Sequence, residues 1–157
     1  MSTTSQPNPN RLNSRHHARE IALQILYRYE ANQTQPASPS LSGIALADDL
    51  KKHFEHFQVA EGVREFAAEL VVGTLTNTAD LDLEIEKVAA NWKISRMAMI
   101  DRNLIRMAMF EMTRFKDIPA SVTIDEAIEL AKQFGTADTS SFVNAILDSF
   151  RKTSRAS

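Results

Sequence analysis

The stretch from Asp101 to Phe115, DRNLIRMAMFEMTRF, decides the fold. Leu104, Ile105, Ala108, Met109, Met112 and Phe115 recur at steps of three and four, the spacing that stacks side chains on one face of a helix, and Met107 widens that face. A stripe this broad predicts a central helix covered by neighbours on several sides. Ile118-Pro119 ends or separates the segment, because the residue before a proline is driven out of the helical region. Beyond it, Thr123 and Glu126 have the spacing of a capping box, and Gly135 is placed to stop the helix that follows.

The same periodicity extends outward in both directions. From Ser14 to about Gln33, Ala18, Ile21, Ala22, Ile25, Leu26 and Tyr29 form one stripe. Leu46, Leu50, Phe54 and Phe57 form a second, and Val63, Phe66, Ala67, Leu70 and Val71 a third. Leu81, Ile85, Val88, Ala89 and Trp92 form a fourth, which gives Trp92 a packing role; a nucleic-acid stacking platform is the less specific alternative. A last helix is expected to start near Asp138 to Ser140 and to bury Phe142, Val143, Ile146, Leu147 and Phe150. With neither dense glycine turns nor sustained period-two runs, the expected fold is all-α, a compact bundle of about seven helices. Residues 1–13 are polar with two prolines and are expected to be a flexible tail, 14–152 the helical domain and 153–157 a short C-terminal tail. Asn32 to Ser42, with Pro36 and Pro39, is expected to be an exposed loop.

Composition narrows the function. A chain of 157 residues with 43% hydrophobic content fits one domain. Lys and Arg total 18 against 20 Asp and Glu, a formal charge of -2, so any nucleic-acid site must be local. The absence of Cys excludes disulfide scaffolds, thiolate metal sites and a cysteine nucleophile. No stretch approaches the roughly 20 apolar residues of a membrane span, and without a signal-peptide pattern the expected location is cytoplasmic. His53 and His56 near Asp48 and Asp49 lack the HExxH pattern and read as exposed histidines beside an acidic pair. Asp101, Glu111, Asp125 and Glu126 have no nucleophile, phosphate loop or cofactor cradle beside them; solvation and capping account for most of them. No enzyme activity, cofactor or metal is expected.

Two local features remain. Met1 to Glu30 carries four Arg and no Lys against Glu20 and Glu30. Arg15 and Arg19, one helical repeat apart, can meet phosphates from one side, while neutral His16 and His17 can hydrogen-bond to or stack on bases; a solvated charged face is the alternative. On a helical wheel His16, Leu23 and Tyr27 lie opposite the Ala18/Ile25/Tyr29 stripe, so Tyr27 is either an interface anchor or a second internal contact.

The segment RHHAREIALQILY, from Arg15 to Tyr27, resembles the opening helix of NusB-like bacterial transcription antitermination factors. DRNLIRMAMFE, from Asp101 to Glu111, and DIPASVTIDEAIELAKQFGTADTSSFVNAILDSF, from Asp117 to Phe150, extend the resemblance over most of the chain. It implies a compact all-α fold and a non-catalytic factor that binds box A RNA with NusE, the transcription form of a small-subunit ribosomal protein. It further implies a place in an RNA polymerase antitermination complex that promotes ribosomal RNA transcription. RNA contacts then map onto Arg15, His16, His17 and Arg19, and onto Asp138, Thr139 and Phe142 in the junction Ala137 to Phe142. Here histidines occupy two positions that are often arginine in that family, and Ser141 stands where a basic residue is common. NusE-facing positions map onto Tyr27 and Asp101. The alternative is a protein-only scaffold or homodimer that uses the aromatic face without selective RNA recognition. Similar domains also accompany some ribosomal RNA methyltransferases, but this chain shows no methyl-donor loop.

Overall fold

The DRNLIRMAMFEMTRF stretch forms a helix whose every residue from Asn103 to Met109 is buried, so the broad stripe does mark the centre of the molecule. The computed structural model describes residues 9–33, 43–56 and 58–155. They form α1 (Pro9–Gln33), α2 (Gly43–His56), α3 (Glu61–Thr76), α4 (Thr78–Val88), α5 (Met99–Arg114), α6 (Ala120–Phe134) and α7 (Thr139–Arg155), with a 3-10 turn at Ile94–Arg96 between α4 and α5. No strand occurs among the described residues. Helix α5 packs against α1, α3, α4, α6 and α7, and α2 rests on α3.

Close approach of α3 to α5 depends on Gly73, where an added Cβ would run into the ring of Phe110. Leu104, Ile105 and Met109 of α5 are fully covered, as are Leu70 of α3 and Leu147 of α7. Burying each such side chain stabilises the fold by roughly 1.5–3 kcal/mol relative to exposure.

Polar bonds fix the register of α1 against α5. Glu30, near the end of α1, accepts from Arg102 and Asn103 near the start of α5, while Arg19 meets Glu111 at the other end, so the two helices are antiparallel. Arg106 of α5 grips Asp82 of α4 through two bonds of 2.7 and 2.9 Å. The Tyr29 hydroxyl donates to Asp49 and ties α2 to α1; burial pushes that phenol above its ordinary pKa, and the carboxylate reinforces the shift.

Several details depart from the sequence expectations. Helix α1 starts at Pro9 rather than Ser14, taking in part of the expected tail, and α7 continues to Arg155, past the expected end at 152. Residues 1–8, Phe57 and positions 34–42 of the expected loop lie outside the described residues. The capping box does not form: α6 starts at Ala120 behind Pro119, Thr123 is buried inside it and bonds Glu111, and Glu126 faces His16. Gly135 does close α6, its N–H reaching the carbonyl of Ala131. Leu23 is fully buried despite its place opposite the main stripe, because α1 is covered on more than one side. Trp92 lies beyond the end of α4 and is 57% exposed, so it is not a core residue.

Candidate functional site

The basic segment of α1 is distributed between interior and surface. Arg19 is 4% exposed and spends its guanidinium on Glu111, with Nε to Oε1 at 2.7 Å and Nη2 to Oε2 at 2.8 Å. Thr123 of α6 donates to the same carboxylate at 2.6 Å. The expected pairing of Arg15 and Arg19 on one phosphate-facing side is therefore corrected: Arg19 faces the core, where an ion must be paired to be tolerated. Glu111, expected to be solvated, is its buried counter-ion.

Arg15 is half-buried with its guanidinium over the ring of Phe66 at 5.4 Å, and His17 is exposed. His16 is half-buried between two carboxylates, Nδ1 2.5 Å from Glu126 and Nε2 2.8 Å from Glu20. The hydrogen bond to Glu126 raises its pKa above 6.5; partial burial opposes the shift, and the charges of Glu126 and Glu20 add to it. Both ring nitrogens of His16 are thus engaged by carboxylates, unlike the free base-contacting ring expected from the sequence.

A second feature lies where α1 passes the start of α5. Leu23, Gln24, Tyr27 and Arg28 of α1, Ala98, Met99 and Ile100 at the start of α5, and Phe134 at the end of α6 line a groove of about 570 Å³. Tyr27 is 42% exposed there, which excludes the purely internal alternative. Asp101 follows Ile100 directly, so the two residues mapped to a protein partner stand on adjoining elements at one end of the bundle.

The α6–α7 junction meets this feature. Thr139 is 2% exposed; its hydroxyl accepts from the N–H of Thr136 at 3.0 Å and donates to Asp101 at 3.0 Å. Gly135 makes room, since a Cβ there would stand 2.6 Å from the Thr139 side chain. Thr139 is thus an internal link, and the expected direct hydrogen bond from its hydroxyl to RNA is corrected. Asp138 is exposed; Phe142 is half-buried, packed on the core, with its ring 5.4 Å from that of Trp92.

The two segments mapped to RNA are anchored near opposite ends of α5. Glu111 marks the α1 end and Asp101 the junction end of α5, about 15 Å apart at 1.5 Å per helical residue. His53 lies 3.5 Å from Asp49, and no group of three or more metal-ligating side chains is found among the described residues. No described helix is long and apolar enough to cross a membrane.

This arrangement of helices recurs in known proteins. The model of the NusB family matches residues 16–152. The chain belongs to the NusB family. It is 43% identical over 136 residues to the transcription antitermination protein NusB of Desulfitobacterium hafniense, covering 86% of each chain. The solved structure of T. maritima NusB is 31% identical with a TM-score of 0.72, over 88% of this chain and 90% of that one. Antitermination factor NusB in a crystal structure with NusE and double-stranded RNA shares the fold, with a TM-score of 0.74 at 22% identity over 90% of this chain and 98% of that one. NusB-family proteins are non-catalytic, in keeping with the expectation of a binding protein.

The NusB-family sequence carried the Arg19–Glu111 pair in a form that periodicity can detect. Arg19 stands in the Ala22/Leu26 row and Glu111 in the Met107/Phe115 row, each a charge within an apolar stripe. Opposite charges so placed are expected to neutralise one another.

Proposed function

We propose that the chain is a cytoplasmic, non-catalytic transcription antitermination factor that binds box A RNA together with NusE and promotes ribosomal RNA transcription within the RNA polymerase antitermination complex. Family membership supports the antitermination role, and the complex of a same-fold NusB with NusE and RNA supports the partner types. The observation that carries the mechanism is the hydrogen bond from Thr139 to Asp101.

In this mechanism NusE occupies the groove beside Tyr27 and contacts Asp101, combining apolar burial with charge complementarity. Asp101 in turn holds Thr139 and so sets the start of α7, which presents Asp138 and Phe142 to the RNA. Arg15, His16 and His17 contact the RNA at the far end of α6, with Arg19 as the positioning residue that seats α1 on α5. Partner binding that stiffens the junction strengthens RNA binding, and the coupling is reciprocal. A chain with net charge -2 and a buried Arg19 needs such help, because phosphate attraction alone is weak.

The test is equilibrium binding to box A RNA and a base-scrambled control across a salt series. Preference for box A supports the proposal; equal binding to both RNAs, or none, favours a protein-only scaffold or homodimer on the Tyr27 face.

A further inference from the structure

The loop between α4 and α5, Ala89 to Met97, carries the chain's one tryptophan and is not used by the mechanism above. Its backbone is pinned: the Trp92 N–H bonds the Ala89 carbonyl at 2.9 Å, Arg96 bonds Lys93 at 2.9 Å and Met97 bonds Ile94 at 3.1 Å. Met97 is buried and Ile94 packs against the core, so the loop is anchored on both sides of Lys93. Trp92 is nevertheless 57% exposed.

The side of Trp92 that is covered meets Phe142, with the ring planes inclined at 67°. An edge-to-face contact of this kind occupies at most one face of the indole and leaves a flat apolar surface open to solvent. Phe142 itself is held by the core, so the tryptophan is propped rather than free to fold away. Lys93 and Arg96 are exposed on the same loop, and neither forms an ion pair among the described residues. The stretch Ala89 to Ile100 contains no acidic residue. A rigid aromatic face flanked by unpaired cations is the combination that binds single-stranded nucleic acid, the ring stacking on a base while the cations meet the backbone.

We propose that Trp92 is a base-stacking platform that extends the RNA surface of the α6–α7 junction onto the α4–α5 loop, with Lys93 and Arg96 as phosphate contacts. The inference rests on the RNA-binding function proposed above and adds a site to it. It also accounts for an exposed tryptophan beside Phe142.

Trp92 is its own probe, since stacking on a base quenches indole fluorescence. The full chain is titrated with labelled single-stranded RNA carrying box A, and with a base-scrambled RNA, following RNA anisotropy and tryptophan emission together. Quenching that tracks anisotropy is expected. Trp92→Ala should weaken RNA binding about tenfold, within the range for loss of one stacked base, while Trp92→Phe retains most of it. Helicity by circular dichroism shows that each variant is folded. Removing Lys93 and Arg96 together should lower the salt dependence of RNA binding. RNA binding with unchanged emission and unchanged Trp92→Ala affinity overturns the platform and leaves the box A proposal standing. Quenching by both RNAs alike keeps the platform and defeats box A selectivity, and failure to bind either RNA overturns both. Emission that instead shifts with protein concentration alone, with a doubled mass, assigns the tryptophan to a second copy of the chain and overturns the platform.

Discussion

Thr139 donates a hydrogen bond of 3.0 Å to Asp101, joining the first residue of α7 to the first turn of α5. The bond connects a residue mapped to RNA with one mapped to a protein partner. Both ends are confined, Thr139 by burial and Asp101 by the first turn of the central helix. A change felt at Asp101 therefore reaches the junction within a single contact.

Gly135 makes this contact possible, since a methyl group there would press on Thr139. Gly135→Ala is expected to lower stability by about 1–3 kcal/mol, the usual cost of overpacking, and to weaken RNA binding more than NusE binding. Urea unfolding and two binding titrations check both parts.

Arg19 and Glu111 predict a stability effect rather than a direct RNA effect. Removing one member of a buried pair leaves the other charge unneutralised, at a cost of about 3–5 kcal/mol. Arg19→Ala should lose stability on this scale in urea unfolding, and Arg19→Met with Glu111→Leu should recover much of it. Arg15→Ala, by contrast, should leave stability nearly unchanged and reduce the salt dependence of RNA binding.

His16 gives a pH dependence of defined sign. Its folded pKa is raised above 6.5, first by the bond to Glu126; Glu20 also faces it, and Arg19 stands 3.8 Å from the same Glu126 oxygen. The stabilisation is complete below the unfolded pKa and is lost as pH rises through the higher folded value. The stability gap between the native chain and His16→Asn should thus be widest in mild acid and close towards alkaline pH, as followed by urea unfolding over that range.

Tyr27 should behave as an interface residue. Tyr27→Asp places a charge in the groove without opening a cavity in the core, so folding should persist while NusE affinity falls by about tenfold or more. Unchanged calorimetric affinity with a folded variant would remove Tyr27 from the interface.

The helices were legible because apolar spacing reports burial directly, and α5 most of all, since its stripe was wide enough to require neighbours on every side. What periodicity does not carry is the identity of those neighbours. Thr123 and Glu126 have the spacing of a cap, yet the bonds to Glu111 and His16 arise from residues 12 and 110 positions away. Arg19 looked like a surface cation because its partner lies 92 residues on. Trp92 fitted the α4 stripe by count alone, whereas the helix ends at Val88 and the ring is released to the surface. The angle of Tyr27 on the helix left an interface anchor and an internal contact both open, and Leu23 at a similar angle is fully buried while Tyr27 is exposed, a difference set by neighbours that spacing does not name.

The central claim is that the partner face and the RNA face communicate through Thr139 and Asp101. The most direct measurement is box A RNA affinity with and without saturating NusE, in the native chain and in Thr139→Val, which removes the hydroxyl while keeping the shape. The account predicts that NusE tightens RNA binding to the native chain and that this gain largely disappears in a folded Thr139→Val. RNA affinity unaffected by bound NusE, or an undiminished gain in Thr139→Val, would contradict it.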